Sequence, residues 1–572
     1  MRKHVAGLSI PALTDADLPL QSVYRHARER PDAPFLFQPH SGGQVDVYTW
    51  KRTLDEVRHL AGYLGKFPRG TKIAMVSKNC AQHFIFDLAI WMSGHISVAI
   101  YPTVMDDTLK YVLEHSEAKL LLVGKLDDWN SMSNGVPESM EMVTCDLSPN
   151  VPGATRWDQL MASEPVSGEP VRSLDETLMI MYTSGSTGTP KGAEVTTGQS
   201  ASWAHAAIKT LGTGSSDRSM SYLPLAHAFE RNGILMASFM SGMQVHFVES
   251  LETFVEDVKR AKPTMFHSVP RLWLKFKAGV EAKMPAKKLQ RYLKIPLFGS
   301  VVRKKVLTGL GLDQCRMAFT GSAPIPADVL KWYAELGLDL LEGYGMTENN
   351  ILCTMNRPGK GRPGYVGEPL PTVEIRISDE GEIQTKSPGL MTGYYKDEAK
   401  TAEAFTDDGW LRTGDRGEIS DDGLVKITGR VKELFKTQKG KYIAPAPIEN
   451  ILNATDLVEQ SCVMGVGLPQ PFAIVMLNEI AREKFNAGET APIVAELERV
   501  LVETNSELGG HEKLSNLVVT GLEWSIANAM LTPTMKIKRS AIEERYASYA
   551  AEGGLKKTGI VIDEETTAAA VA

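Results

Sequence analysis

Cysteine is scarce in this chain. Its 572 residues hold five, Cys80, Cys145, Cys315, Cys353 and Cys462, odd in number and far apart. No two share the spacing of a zinc knuckle or a redox CxxC, which excludes a disulfide framework or thiolate metal site as the organising device. A reducing compartment is expected. Long hydrophobic runs are also missing. Segment 83–104 is interrupted by Asp87 and His95, and segment 234–248 by Gln244. Neither offers the roughly 20 uninterrupted apolar residues of a membrane-spanning helix. The first twenty residues begin basic but carry Pro11, Asp15 and Asp17 where a signal peptide would have its apolar stretch. A basic excess is absent too: 62 Lys and Arg against 69 Asp and Glu leave a net charge of −7. A broad basic face for a nucleic-acid backbone is thereby excluded. No repeat of 20–50 residues is present, so solenoids and propellers drop out. A soluble cytoplasmic protein is expected.

What is present is a 43% hydrophobic, 23% charged chain of globular composition. It is long enough for two to four domains. Short apolar runs alternate with amphipathic stretches. Strands are predicted at 72–77, 97–101 and 119–123, with helices at 80–93 and 108–116 between them. The pattern returns as helix 254–261, strand 264–268, helix 326–335 and strand 339–342. Strand and helix alternating over short connections predict doubly wound α/β sheets. From about 368 to 427 the runs become short, β-rich and punctuated by Gly and Asp, which predicts a small antiparallel barrel or sheet. A charged stretch near 430 marks the start of a small α+β domain. The expected division is a body over 1–429, a hinge at 430–433, a second domain over 434–550 and a tail over 551–572.

The most informative segment is 177–197. An apolar strand runs into an unbroken Ser/Thr/Gly stretch, 183–189, and stops at Pro190-Lys191-Gly192. Glycines let the backbone wrap closely round a ligand, and N–H and hydroxyl groups can then donate to phosphate oxygens. A Walker A loop would need Gly-Lys-Ser/Thr opening a helix, and here Pro190 precedes the lysine. A flexible linker would not follow a buried strand in this order.

Residues 182–192, YTSGSTGTPKG, resemble the phosphate loop of the adenylate-forming superfamily, which includes acyl-CoA synthetases, luciferases and peptide-synthetase adenylation domains. Six further segments resemble that superfamily in order: 223–230 (LPLAHAFE), 320–326 (TGSAPIP), 342–348 (EGYGMTE), 409–419 (GWLRTGDRGEI), 427–436 (ITGRVKELFK) and 531–539 (LTPTMKIKR). Lys441-Tyr-Ile-Ala-Pro445 and 531–534 are most similar to long-chain fatty acyl-CoA synthetases.

The resemblance implies ATP- and Mg²⁺-dependent formation of an acyl-adenylate, then transfer to coenzyme A. It implies that Thr183, Ser184, Gly185, Ser186, Thr187, Gly188 and Lys191 cradle phosphates. It implies a nucleotide wall of Gly321, Ser322, Ala323, Glu342, Gly343, Tyr344 and Gly345, with Tyr344 on the adenine. Thr347 would touch the α-phosphate, and Glu348 and Thr183 would hold Mg²⁺, a hard cation that takes oxygen ligands. Asp415 and Arg430 would hold the ribose. Lys432 would be the hinge, Gly440 part of the loop for the second step, and Lys536 the catalytic cation. Many relatives have Gly before that lysine; here Met535 stands there, and Lys538 stays open as a rival. His227 would sit at the mouth of the acyl site, with an ordinary core histidine as the competing reading.

The partners implied are small molecules: a carboxylic acid, of medium or long chain, ATP and CoA. Phe229, Phe239, Met240 and Val245 are candidate walls of an apolar tunnel. Peripheral membrane contact and a homodimer stay open, as do a CoA-independent adenylating enzyme, an aryl or short-chain acid ligase and a nucleotide-binding protein without catalysis.

Overall fold

The computed structural model describes residues 3–183, 189–455, 457–532, 535–551, 555 and 559–563. Two large sheets build the body. The first has eight strands in the spatial order 393–394, 191–196, 177–183, 96–100, 72–76, 120–123, 141–144, 155–156. The second has nine, in the order 368–369, 354–355, 340–344, 317–320, 265–268, 218–221, 244–247, 34–39, 45–49. Their central strands are parallel and carry near-continuous apolar runs, as a sheet covered on both faces requires. Lys72–Val76 is buried from Ile73 onward and Leu120–Val123 throughout. Helix Ala81–Met92 is buried at every position, the pattern of a helix enclosed on all sides.

Asp87 lies in that enclosed helix. Arg231, equally buried, donates to its carboxylate (Nη1 to Oδ2, 3.0 Å) and to Ser97 Oγ (2.6 Å). A charge buried this deeply is tolerated only when paired and hydrogen-bonded, and removing one partner costs about 3–5 kcal/mol. The pair ties the first sheet's helix to segment 231–236, which is wound as a π-helix.

The small β-barrel expected between 368 and 427 is realised as five antiparallel strands, open at both edges. Their order is His4–Ala6, Glu374–Ile377, Glu382–Lys386, Leu411–Ile419, Val425–Arg430. Its first strand comes from the start of the chain, a pairing that no local pattern reveals. The C-terminal domain has strands Val458–Met464, Phe472–Leu477, Asn516–Thr520 and Gly559–Ile562 with helices packed on them. That last strand lies within 551–572, expected to be a tail. It pairs in parallel with Asn516–Thr520 and so completes the sheet. Arg271 of the body and Glu459 of the C-terminal domain form an ion pair across the two.

All five cysteines are free thiols, Cys315 half-buried and the others buried. Among the described residues no helix is long and apolar enough to cross a membrane.

Candidate active site

Strand Thr177–Thr183 and strand Lys191–Thr196 form an antiparallel hairpin in which Lys191 faces Thr183. Ser184, Gly185, Ser186, Thr187 and Gly188 lie outside the described residues. Thr183 Oγ1 donates to Lys191 O (3.4 Å), fixing the base of the loop. The Lys191 ammonium stands 5.0 Å from the centre of the Tyr394 ring. The hydroxyl of that tyrosine donates to Glu348 Oε1 (2.7 Å). The phosphate-loop lysine and the expected metal ligand thus meet on one aromatic side chain. No sequence motif points to Tyr394; it arrives through strand Gly393–Tyr394, which pairs with Lys191–Thr196.

Strand Leu340–Tyr344 delivers Glu342, Gly343 and Tyr344, and a 3₁₀ turn, Thr347–Asn349, delivers Thr347 and Glu348. Gly345 must be glycine: a Cβ there would stand 1.8 Å from Ile351 O. Tyr344 donates to Asp415 Oδ2 (2.7 Å), and Arg430 Nε donates to Asp415 Oδ1 (2.8 Å). Asp415 and Arg430 are register partners on strands Leu411–Ile419 and Val425–Arg430. Each carboxylate oxygen keeps a lone pair for a further donor.

Gly321, Ser322 and Ala323 follow strand Met317–Thr320, and Ser322 has a φ of +67°. Thr320 ends one strand, Glu342 lies in the middle of the next, and Asn356 directly follows the third. Thr320 is in register with Glu342, whose carbonyl accepts from the Asn356 amide (2.8 Å). All three are buried, and Thr320 Oγ1, Glu342 Oε2 and Asn356 Oδ1 have no hydrogen-bond partner among the described residues. Burial pushes the Glu342 pKa up to about 8, against a hydrogen bond from the Ile325 backbone. Glu342 is therefore protonated at neutral pH and able to donate.

His227 lies in the turn after strand Arg218–Ser221. Buried Glu230 holds that turn: Asn79 Nδ2 donates to Glu230 Oε1 (3.1 Å) and to Leu223 O (2.8 Å), and His267 Nε2 lies 3.1 Å from Glu230 Oε2. His227 Nδ1 accepts from the Phe229 amide (3.2 Å), which leaves the ring proton on Nε2. Burial, then the Lys536 charge, lower its pKa to about 4, so the ring is neutral at physiological pH.

Lys536 enters this cleft from the C-terminal domain on a hairpin. Its amide donates to Thr532 Oγ1 (3.1 Å), and the Thr532 amide to Lys536 O (2.8 Å). Solvent reaches part of the side chain, yet the cleft encloses its charged end. That enclosure and the Arg430 guanidinium push its pKa down, while Asp415, Glu348 and Glu433 push it up. Met535 takes a φ of +61°, the region that favours glycine. Lys538, the rival, caps helix Arg539–Arg545 with its amide bonded to Met530 O (2.8 Å).

Beside Lys536 an ion-pair chain crosses between the domains: Arg430–Glu433 (3.9 Å), Glu433–Arg539 (3.8 Å) and Arg539–Glu449 (2.7 Å). Glu433 and Arg539 stand in segments 427–436 and 531–539 and Glu449 follows segment 441–445, but nothing local in the sequence assigns them this role. Lys432 is exposed in the turn between the domains. Gly440 lies in an exposed turn of the C-terminal domain, its amide donating to Thr437 O (2.9 Å). Of the expected site residues in the described part, these two stand apart from the cleft cluster.

Two residues on from His227, Phe229 lines an apolar cavity. Its walls come from helix Thr197–Leu211 (Trp203, Ala207), the π-helix (Gly233, Ile234) and residues 351–352 after the Glu348 turn, with Phe229 at the His227 end. A Cβ on Gly233 would stand 3.3 Å from Ile351 Cδ1, so the absent side chain keeps the passage open. Of the four wall candidates only Phe229 lines this cavity; Phe239, Met240 and Val245 are buried in the core beside it.

Glu348 offers a carboxylate and Thr183 a hydroxyl, both oxygen groups. This suits Mg²⁺, which binds through one or two carboxylates and brings its remaining ligands on phosphates and water.

A family model described as AMP-binding enzyme matches residues 23–395, and one described as AMP-binding enzyme C-terminal domain matches 432–552. The chain is 29% identical to a long-chain-fatty-acid–CoA ligase of Mycobacterium bovis, over 95% of this chain and 98% of that protein. It is 29% identical to human long-chain-fatty-acid–CoA ligase 1, over 83% of this chain and 77% of that one. Among solved structures, an anthranilate CoA ligase in complex with anthranoyl-AMP matches with a TM-score of 0.76 at 20% identity, over 94% of this chain and 100% of that chain.

Proposed function

The chain belongs to the AMP-binding enzyme family, and from that premise we propose that it activates a medium- or long-chain fatty acid with ATP and transfers it to coenzyme A. It is an AMP-forming acid–CoA ligase that uses ATP, Mg²⁺ and CoA. The observation that carries the choice of acid is the cavity: an apolar chamber lined by Phe229, whose amide donates to His227 Nδ1, while His227 feels the charge of Lys536, which Asp415, Glu348 and Arg430 surround. A long hydrocarbon chain is stabilised by such walls, and its carboxylate is held at the polar mouth.

Tyr344 and the 321–323 backbone take the adenine, with the buried Glu342 carboxylic acid at its edge. Asp415 and Arg430 take the ribose. Lys191 and the loop it closes hold the distal phosphates, and Thr347 the α-phosphate. Glu348 and Thr183 hold Mg²⁺, which screens phosphate charge when bound. Lys536 places its ammonium between the acid's carboxylate and the α-phosphate, two anions that otherwise repel. A carboxylate oxygen then bonds to the α-phosphorus, and pyrophosphate leaves with the electron pair of the broken P–O bond. In the second step the CoA thiolate bonds to the acyl carbon and AMP leaves. Neutral His227 donates from Nε2 at the mouth of the acyl site. The body over 1–429 and the C-terminal domain over 434–550 turn about 430–433, with Lys432 at the pivot. This exchanges Lys536 for the turn at Gly440 between steps.

The test is pyrophosphate release and thioester formation across a panel of acids, from acetate through aryl acids to long-chain fatty acids. The expected result is thioester with the longer fatty acids. No thioester with any acid sinks the proposal, and acyl-AMP as sole product shows an enzyme that stops at the adenylate.

A further inference from the structure

The chain as a whole carries a net charge of −7, yet segment 271–305 holds eleven Lys and Arg and a single acid, Glu281. The segment lies on three helices, Pro270–Lys283, Ala286–Leu293 and Phe298–Leu310. Arg271 is spent on Glu459, and Lys277 on Asp328 (3.2 Å). Lys287, Lys288, Arg291, Lys294, Lys304 and Lys305 all reach solvent.

The same segment exposes aliphatic surface. Ile295 is 43% exposed, Phe298 47%, Val301 62% and Leu297 88%, the highest among the exposed large hydrophobics of the described residues. Helical spacing sorts these groups. On Ala286–Leu293 the buried face is Leu289 and Leu293, so Lys287, Lys288 and Arg291 point out. On Phe298–Leu310 the buried face includes Val302 and Leu310. Leu297, Val301, Lys304 and Lys305 then follow one another up a single outer stripe. The two helices pack together, and Tyr292 meets Phe298 edge-on at 5.5 Å. An apolar tip at 295–298 is thus rimmed by cations on both sides.

Leu297 has a φ of +64° and a ψ of −49°. This is unfavourable backbone for a leucine, and it holds the side chain outward. Strain of this kind persists where the surrounding structure over-determines it, and it clusters at functional sites.

We infer that the helical pair 286–305 docks on the surface of an anionic lipid bilayer. Ile295, Leu297 and Phe298 enter the boundary between headgroups and acyl chains, and the lysines and arginines lie against lipid phosphates with their stems along the apolar surface. Polyanions such as nucleic acid would answer the charge but not the aliphatic tip, because single strands are gripped by aromatic stacking rather than by Leu, Ile and Val. The inference does not depend on which acid the enzyme activates.

The test is vesicle flotation of the full chain. Pure phosphatidylcholine vesicles are compared with vesicles carrying about 30% phosphatidylglycerol, at low and high salt. The parent is expected to float with the anionic vesicles alone, and to be released by salt. The variant K287E/K288E/R291E/K294E is expected to bind at least about tenfold more weakly, since each basic residue near the surface contributes. Leu297→Gly relieves the backbone and removes the anchor, so it is expected to melt no lower than the parent yet bind several-fold more weakly. Adenylation of a water-soluble acid should be unchanged in both. Equal flotation with neutral and anionic vesicles overturns the inference. So does undiminished flotation of the charge-reversed variant or of Leu297→Gly. Binding to a DNA duplex without any flotation also overturns it and reassigns the patch to polyanions.

Discussion

The segments proposed to take the nucleotide and the apolar cavity proposed to take the acyl chain are built on opposite plans. The wall is made of short contiguous segments, each with a polar group at a fixed place: Gly321–Ala323, Glu342–Glu348, Asp415 with Arg430. The cavity is made of single apolar side chains drawn from helix Thr197–Leu211, the π-helix and residues 351–352. Polar recognition needs specific donors at specific angles and leaves motifs behind. Apolar recognition needs only volume, and many residue combinations supply it.

The sharpest way to break the polar half is Lys536→Ala. Loss of a placed cation at a developing charge costs about 10²–10³-fold. Pyrophosphate release should fall by that order, whereas thioester formation from supplied acyl-AMP should be largely spared. Equal loss of both steps would falsify the role given to Lys536. The sign of its pKa shift adds a second reading. A lowered pKa means the cation is lost at a lower pH than for an ordinary lysine, so adenylation should decline as pH rises while the second step does not follow it.

Breaking the apolar half calls for Gly233→Leu. A side chain there runs into Ile351 and closes the passage. Preference should shift towards shorter acids by about 10- to 100-fold in kcat/KM, within the range that one or two methylenes can supply. KM for ATP should not move. A loss of ATP affinity equal to the loss of long-chain activity would mean that the two halves are not separate.

A smaller effect sits in the row Thr320, Glu342, Asn356. Glu342 has its folded pKa raised to about 8 by burial. Its contribution to stability is full below the unfolded carboxyl value and is lost as pH rises through about 8. The melting temperature of the nucleotide-free protein should fall over that window in the parent and flatten in Glu342→Gln. An unchanged slope in the variant would assign the pH dependence to other groups.

The smallest expected effect is at Met535. A left-handed residue with a side chain costs roughly 1–2 kcal/mol, part of which glycine returns as backbone entropy. Met535→Gly should raise the urea midpoint of the C-terminal domain slightly and leave catalysis unchanged. A lower midpoint would show that the methionine side chain offsets the strain.

Much of this is legible in the order of residues. Strand and helix boundaries at 72–76, 81–92, 120–123 and 254–261 follow from apolar runs and periodicity. The polar side chains of the cleft follow from motifs, and Met535 stands out as a departure whose reason, a positive φ, is a backbone property that letters do not carry. The rest is hidden because it joins distant positions. Strand His4–Ala6 completes a sheet some 370 residues away. Gly559–Ile562 completes another sheet from within the expected tail, although its run Ile560-Val561-Ile562 is a short β-branched strand signal. Tyr394 reaches Glu348 by an edge pairing, and Arg231 meets Asp87 in a helix of another sheet. The cavity walls are half-visible: Phe229 can be named from its neighbour His227, but burial alone does not distinguish a lining residue such as Ile234 from a packed one such as Phe239.

The π-helical winding of 231–236 has a bearing on how such an enzyme changes over generations. A π-turn is one residue wider than an α-turn. It anchors Arg231 in the core and presents Gly233 to the cavity. Deleting a single codon here would return the segment to ordinary winding and change which side chains of the turn itself face the cavity. New side chains would then face the hydrocarbon, while the strands bearing the nucleotide groups stayed in place. On the proposed reading of the cavity, chain-length preference is rewritten by a length change in one turn, without passing through an ancestor that has lost ATP.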